Sequence, residues 1–239
     1  KMKTITAKEL NRTSNWRIIL YAKPGTGKTS SAKFLKGKTR ILDLDNSAKV
    51  LDGLNNITID QLDRSHPEED MLEFLKSAKQ RIDGFDNLII DNISSFEKDW
   101  FVEKGRGSHN GISNELQDYS QWTNYFSRIM TEIYTLPVNV LITAWETSRQ
   151  ITSANGQQFN QYAPEIRASV MDGLLGLCDV VGRLTVNPKT GNRGVILQGD
   201  DSIYAKNRLD SRQACPINEL FSFGGDQHGG AVSVPESAG

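Results

Sequence analysis

The sequence predicts an α/β fold: a mainly parallel sheet with helices on both faces and an antiparallel C-terminal extension. Three observations predict it. Four apolar, β-prone runs, residues 17–22, 39–44, 87–91 and 138–144, recur with helical patterns between them, and such alternation pairs strands in parallel with helices covering the sheet. The first run leads directly into a glycine-rich stretch, Ala22-Lys23-Pro24-Gly25-Thr26-Gly27-Lys28-Thr29. After Cys178 the pattern changes to short strand-like runs at 180–186, 194–197 and 202–206, the first two separated by the turn Asn187-Pro188-Lys189-Thr190-Gly191-Asn192, which reads as antiparallel pairing.

The glycine-rich stretch follows the G-x-x-x-x-G-K-[ST] pattern of a phosphate-binding P-loop, except that Ala22 stands where its first glycine is expected. Alanine lacks only the cheap access to positive φ. In such a loop successive backbone N–H groups turn inward around a polyphosphate, Lys28 sets a point charge near the β and γ phosphates, and Thr29 offers a hydroxyl to Mg²⁺. The run from Ser30 to Leu35 is helix-compatible, which adds orphan N–H donors at the anion. Lys23, Pro24, Gly25, Thr26, Gly27, Lys28, Thr29 and Ser30 are therefore the expected cradle for ATP.

Between the strands, a helix over 67–82 carries Met71, Leu72, Leu75, Ala78 and Ile82 on one face, with Ser65 and Glu68 as a capping box. A second capping box, Ser94 with Glu97, opens a helix beyond the third strand. A longer helix over 114–136 spaces Tyr119, Trp122, Phe126, Ile129, Met130 and Ile133 by three and four residues before Pro137 stops it; these aromatics read as core.

Leu88-Ile89-Ile90-Asp91 is a buried strand ending in a carboxylate, which either holds Mg²⁺ with Thr29 or caps the next helix. In Leu42-Asp43-Leu44-Asp45 a regular strand puts both carboxylates on one face. Asp45, nearer the carboxyl end where ligands of parallel sheets sit, either orients an attacking water or closes an Asx-turn.

These pieces, in this order from about residue 16 to 212, resemble the phage-encoded RecA-like P-loop ATPases of single-strand annealing and recombination, AAA-type phage nucleotide-binding proteins. The resemblance implies a RecA-like P-loop NTPase core in which Asp45 takes the place of a catalytic glutamate, one methylene longer. It implies that Leu141-Ile142-Thr143-Ala144 ends in a γ-phosphate-sensing position, with Trp145 in the first polar slot and Glu146 as the sensor; a solvated strand-end charge is the alternative. Tyr204-Ala205-Lys206-Asn207-Arg208 is similar to the basic element that reaches a neighbouring subunit's nucleotide, and two cations one residue apart in a strand point the same way. Two loops stand where the family holds single-stranded DNA: 104–111, with Lys104 and Arg106, and 147–162, with Arg149, Gln157 and Phe159. The implied catalytic set is Lys28, Asp45, Asp91, Glu146, Lys206 and Arg208, the metal residues are Thr29 and Asp91, and the cofactors are ATP and Mg²⁺.

Composition bounds the rest. Charged residues make up 24% of the 239 and the net charge is -1, so a polyanion other than a nucleotide needs local basic loops rather than a global field. Cys178 and Cys215 stand far apart, without disulfide or zinc spacing. No run approaches the roughly 18 apolar residues of a membrane span. The expected organisation is an N-terminal segment (1–15), an ATPase domain (16–223) and a flexible tail (224–239), in a bacterial cytoplasm carrying the phage. The expected function is a DNA-dependent ATPase that binds single-stranded DNA, assembles into rings or filaments, works with a single-strand-binding protein and touches no membrane. Two alternatives remain: an annealing module in which ATP only stabilises the oligomer, and a small-molecule P-loop kinase.

Overall fold

The computed structural model describes residue 2 and residues 4–153 and 155–223; the expected tail at 224–239 lies outside the described residues. The elements are β1 (Arg17–Ala22), β2 (Thr39–Asp43), β3 (Ile57–Gln61), α1 (Pro67–Arg81), β4 (Asn87–Asp91), α2 (Ile93–Gly107), α3 (Leu116–Tyr134), β5 (Asn139–Thr152), β6 (Gln158–Pro164), α4 (Ala168–Leu177), β7 (Val180–Val186), β8 (Arg193–Ile196), β9 (Lys206–Asn207) and β10 (Ala214–Pro216). The strand order is β10-β8-β7-β1-β5-β4-β2-β3, with β6 paired to β5 and β9 to β7. Strands β7, β1, β5, β4, β2 and β3 run parallel; β8, β9 and β10 add antiparallel pairs, as does β6. The α/β architecture with its antiparallel C-terminal part is thus the one expected.

Strand β1 lies between β5 and β7, and Ile18, Ile19, Leu20, Tyr21 and Ala22 have no exposure. A strand buried on both faces must be apolar throughout. The alternate side chains enter two separate cores. Ile19 and Tyr21 join α1, α2, α3 and α4 through Met71, Phe74, Phe96, Trp100, Trp122, Phe126 and Val170. Ile18, Leu20 and Ala22 meet Ala32, Leu35, Ala48, Leu51 and Ile217. All four α-helices therefore cover one face, and the other is covered by the 3-10 helices Thr29–Phe34, Ala48–Leu51 and Ile217–Glu219. The helix expected after the P-loop is one of these 3-10 segments.

Several local expectations are corrected. The N-cap of α1 is His66, with Pro67 opening the first turn and no side-chain cap bond. Glu68 pairs with Lys104 and the Ser65 carbonyl accepts from Arg106, so the Ser65–Glu68 box does not form. Asn92, not Ser94, caps α2: its Oδ1 accepts the Ser95 N–H at 3.0 Å. Ser94 Oγ donates to the Glu165 carbonyl and accepts from the Trp145 N–H, while Glu97 accepts from the Arg167 N–H. In α3, Trp122, Phe126, Ile129, Met130 and Ile133 are core as expected, while Tyr119 is 38% exposed. The strand expected at 202–206 shrinks to an Ile203 bridge with Tyr162 and the two residues of β9.

The two expected loops are largely regular structure. Helix α2 runs on through Gly107, so Lys104 and Arg106 lie in its last turn. Residues 147–152 and 158–162 belong to an antiparallel ribbon in which β5, continuing past Ala144, pairs with β6 from Glu146↔Pro164 to Thr152↔Gln158.

Candidate active site

The P-loop begins where β1 ends. Ala22 is the last strand residue and pairs with Trp145; it is not among the positive-φ residues, so alanine meets no backbone penalty there. Gly25 and Gly27 do take positive φ, 77° and 104°. A Cβ on Gly27 would also lie 2.9 Å from Arg193 Nε. Lys28 is buried and its Nζ donates to the Ala22 and Lys23 carbonyls, each at 3.1 Å. Burial lowers its pKa, against the opposing pull of Asp91, Asp45 and Glu146. Lys23, Pro24 and Gly25 are exposed, with Thr26, Gly27, Thr29 and Ser30 half-buried behind them.

Next to the lysine, Thr29 Oγ1 donates to Asp91 Oδ2 at 2.5 Å. Asp91 ends β4, and its other carboxylate oxygen accepts from the Thr143 hydroxyl on β5. Burial pushes the Asp91 carboxyl up to about 6, against the lowering effect of both threonines. Thr143 was not singled out from sequence. Its signal was there to read: it is the polar residue near the carboxyl end of an otherwise apolar run. This pair of hydroxyl and carboxylate beside a buried lysine fits Mg²⁺-nucleotide, since hard oxygen donors suit that cation and positive-φ glycines suit the phosphates.

Strand β2 ends at Asp43, so the regular strand that put Asp43 and Asp45 on one face stops before Asp45. Asp43 is buried and accepts the Ser47 and Ala48 N–H groups at 3.0 and 3.2 Å, which fixes the turn. Asp45 follows, half-buried, before Asn46 at φ 59°. Its Oδ1 accepts the Ser47 N–H at 3.1 Å, an Asx-turn contact, and its Oδ2 accepts from Asn92 Nδ2 at 2.9 Å. Thus Asn92 ties the Asp45 carboxylate to the residue after Asp91.

Glu146 is not a solvated charge. Its side chain is 4% exposed and pairs with Arg183 Nε at 2.7 Å. The Arg183 guanidinium lies 3.9 Å from the centre of the Tyr162 ring, and Tyr21 Oη donates to the carbonyls of Tyr162 and Tyr204. Arg183 was also missed; it sits on β7, and its register with Tyr21 of β1 has no local sequence signature. Lys98 stands 4.4 Å over the Trp145 ring and pairs with Glu165.

Lys206 and Arg208 do address one place, within their own chain. Lys206 Nζ donates to the Leu175 and Gly176 carbonyls, and Arg208 Nη1 to Gly176 at 3.2 Å. Cations at the carboxyl end of α4 satisfy its open carbonyls. Of the residues expected to meet DNA, Lys104 is paired with Glu68 and lies over Trp100, and Arg149 is bonded to Gln161 across the ribbon. Arg106 and Gln157 are exposed and Phe159 half-buried. No helix among the described residues is long and apolar enough to cross a membrane.

A family profile described as AAA domain matches residues 14–209, from just before β1 to just past β9. No curated protein matches the chain.

Proposed function

The chain belongs to the AAA domain family, the nucleotide-binding P-loop ATPases, and on that footing we propose that it is an ATP-dependent, single-stranded-DNA-binding recombination or annealing protein of phage type. In this reading it self-associates into rings or filaments with ATP at subunit interfaces and acts beside a single-strand-binding protein. The observation that carries the nucleotide part is the Thr29–Asp91 contact at 2.5 Å beside the buried Lys28. Bound Mg²⁺ supplies charge neutralisation to the phosphates. The chain's residues do the rest: loop amides and Lys28 hold the polyphosphate, Thr29 and Asp91 present oxygen donors, and Asp45 orients a water. Glu146, braced by Arg183, links the end of β5 to the β5–β6 ribbon. Lys206 and Arg208 leave the α4 carbonyls to complete a neighbour's site. DNA lies along Arg106 and the ribbon residues Gln157 and Phe159, with Lys104 and Arg149 joining once released from Glu68 and Gln161.

A second reading has its own support. Both Asp45 oxygens are already engaged, by Ser47 and Asn92, which suits a protein in which ATP stabilises an annealing oligomer with little hydrolysis. Phosphate release measured against single- and double-stranded DNA at two salt concentrations separates the two. Salt-sensitive stimulation by single strands supports the first, since phosphate contacts release counterions. Annealing with no DNA-stimulated release supports the second, and unchanged nucleotide binding by Lys28→Ala removes both.

A further inference from the structure

Beside the P-loop, on the face opposite the four α-helices, lies a cleft of about 890 Å³. Its walls come from separate parts of the chain: Lys33 and Phe34 from the 3-10 helix after the P-loop, Val195 from β8, and Pro216 and Ile217 from β10 and the turn after it. Gly27 and Ser30 line it too, so it opens directly onto the phosphate loop. At that seam stands Arg193, the first residue of β8. Its Nε donates to the Thr26 carbonyl at 2.7 Å and lies 2.9 Å from where a Cβ on Gly27 would stand. Among the described residues Nε is the one nitrogen of this guanidinium in a hydrogen bond with the protein, which leaves Nη1 and Nη2 as donors at the mouth of the loop.

We propose that this cleft is the nucleoside subsite of the P-loop: it takes the base against Phe34, while Arg193 turns its remaining donors to the phosphates. The inference rests on the nucleotide reading of the P-loop and adds where the base goes and how strictly it is chosen. Phe34 packs against the core with the Lys33 ammonium 5.0 Å over its ring; a base that displaces this flexible lysine stacks on the ring, and stacking tolerates any base because every base has a π-face. Strict guanine selection needs an acceptor pair for its N1–H and N2–H groups, the work of a carboxylate. Among the described residues no lining residue carries one, and the charged residues of the lining are Lys33 and Arg193. The site therefore binds ATP and GTP with similar affinity. Arg193, fixed to the loop through Thr26, contacts the polyphosphate whichever base is present.

Calorimetric titration of the full chain with Mg²⁺-ATP, Mg²⁺-GTP and inorganic tripolyphosphate tests this without any turnover. Phe34→Leu keeps apolar packing but removes the aromatic face. It should weaken ATP about tenfold and leave tripolyphosphate unchanged, since one stacking contact is worth about that factor. Arg193→Ala should weaken all three ligands about tenfold, and Arg193→Lys should recover part of the loss. ATP and GTP should agree within about tenfold on the wild type. Wild-type affinity for ATP in both Phe34→Leu and Arg193→Ala, with circular dichroism unchanged, would overturn the subsite while the P-loop reading stands. An ATP-to-GTP preference above about a hundredfold would overturn recognition by stacking alone. A wild-type chain that takes up none of the three, or a Lys28→Ala variant that binds them all normally, would instead remove the reading on which the proposal rests.

Discussion

Replacing Asp91 by asparagine should make the ligand-free protein more stable while disabling the site. Asp91 ends β4 with almost no exposure, and burial raises its pKa from 3.8 to about 6. In the folded state the group thus holds its proton through a pH range in which the unfolded chain has lost it. The sign follows from that difference: below about pH 4 both states are protonated and the aspartate costs nothing, whereas between about pH 4 and 6 stability falls as pH rises. Above about pH 6 the full cost is present, about 3 kcal/mol at 1.36 kcal/mol per pH unit. Asparagine fits the same space and can still exchange hydrogen bonds with the Thr29 and Thr143 hydroxyls, but carries no charge. Urea unfolding without nucleotide at pH 4, 6 and 8 should show Asp91→Asn level with wild type at the lowest pH. At pH 8 it should lead by about 3 kcal/mol, or about 6–12 °C in melting temperature for a chain of this size. Adding Mg²⁺-ATP should raise the wild-type melting temperature by mass action and leave that of the variant nearly unchanged. A variant no more stable than wild type at pH 8 would refute the argument, because it would mean that the buried carboxylate is already fully compensated.

Gly27→Ala places a side chain at φ 104° and 2.9 Å from Arg193 Nε, so a loss of about 1–3 kcal/mol in thermal unfolding is expected, together with loss of nucleotide uptake in calorimetry. Asn92→Ala removes the cap of α2 and the amide that holds Asp45, and unfolding should register a loss of about 0.5–2 kcal/mol. Arg183→Ala leaves Glu146 buried without its partner and should cost about 3–5 kcal/mol, of which the double variant Arg183→Ala/Glu146→Gln should recover a large part in the same denaturation assay. Equal stability of the single and double variants would show that the ion pair is not what holds Glu146.

Strands β1 and β4 were legible to the residue because each is an apolar run, the signature of burial on both faces, and β7 because it is bounded by Cys178-Asp179 and the turn at 187–192. Strand β3 was not: Ile57-Thr58-Ile59-Asp60-Gln61 is a partly exposed edge strand, with Ile59 39% exposed, and reads as polar linker. Helix α4 was hidden by Gly173 and Gly176, which suggest a loop. The two failed capping boxes have a common cause. Serine and glutamate at the right spacing were claimed by distant partners, Glu68 by Lys104 and Ser94 by Glu165, and local patterns say nothing about such competition. At the site, Lys28, Thr29 and Asp91 were visible because their roles follow from position after or at the end of a strand. Arg183 and Arg193 reach the same region only through sheet pairing and hairpin return, which bring together positions far apart in the chain. The polar stretch 147–162 was taken for loops because its alternation lacks an apolar face; the ribbon instead carries polar pairs such as Arg149 with Gln161.

The two sides of the sheet differ in how they are covered. Four multi-turn helices and their aromatic core back one surface, whereas the other rests on three segments of six, four and three residues. Segments this brief hold few internal hydrogen bonds and nucleate poorly by themselves, so they stand on the packing of Ala32, Ala48, Leu51 and Ile217 against the sheet. The phosphate loop continues into the first of these segments. The residues that grip the phosphates therefore lead into a layer held largely by side-chain packing, while the aromatic slab on the opposite surface carries the long helices.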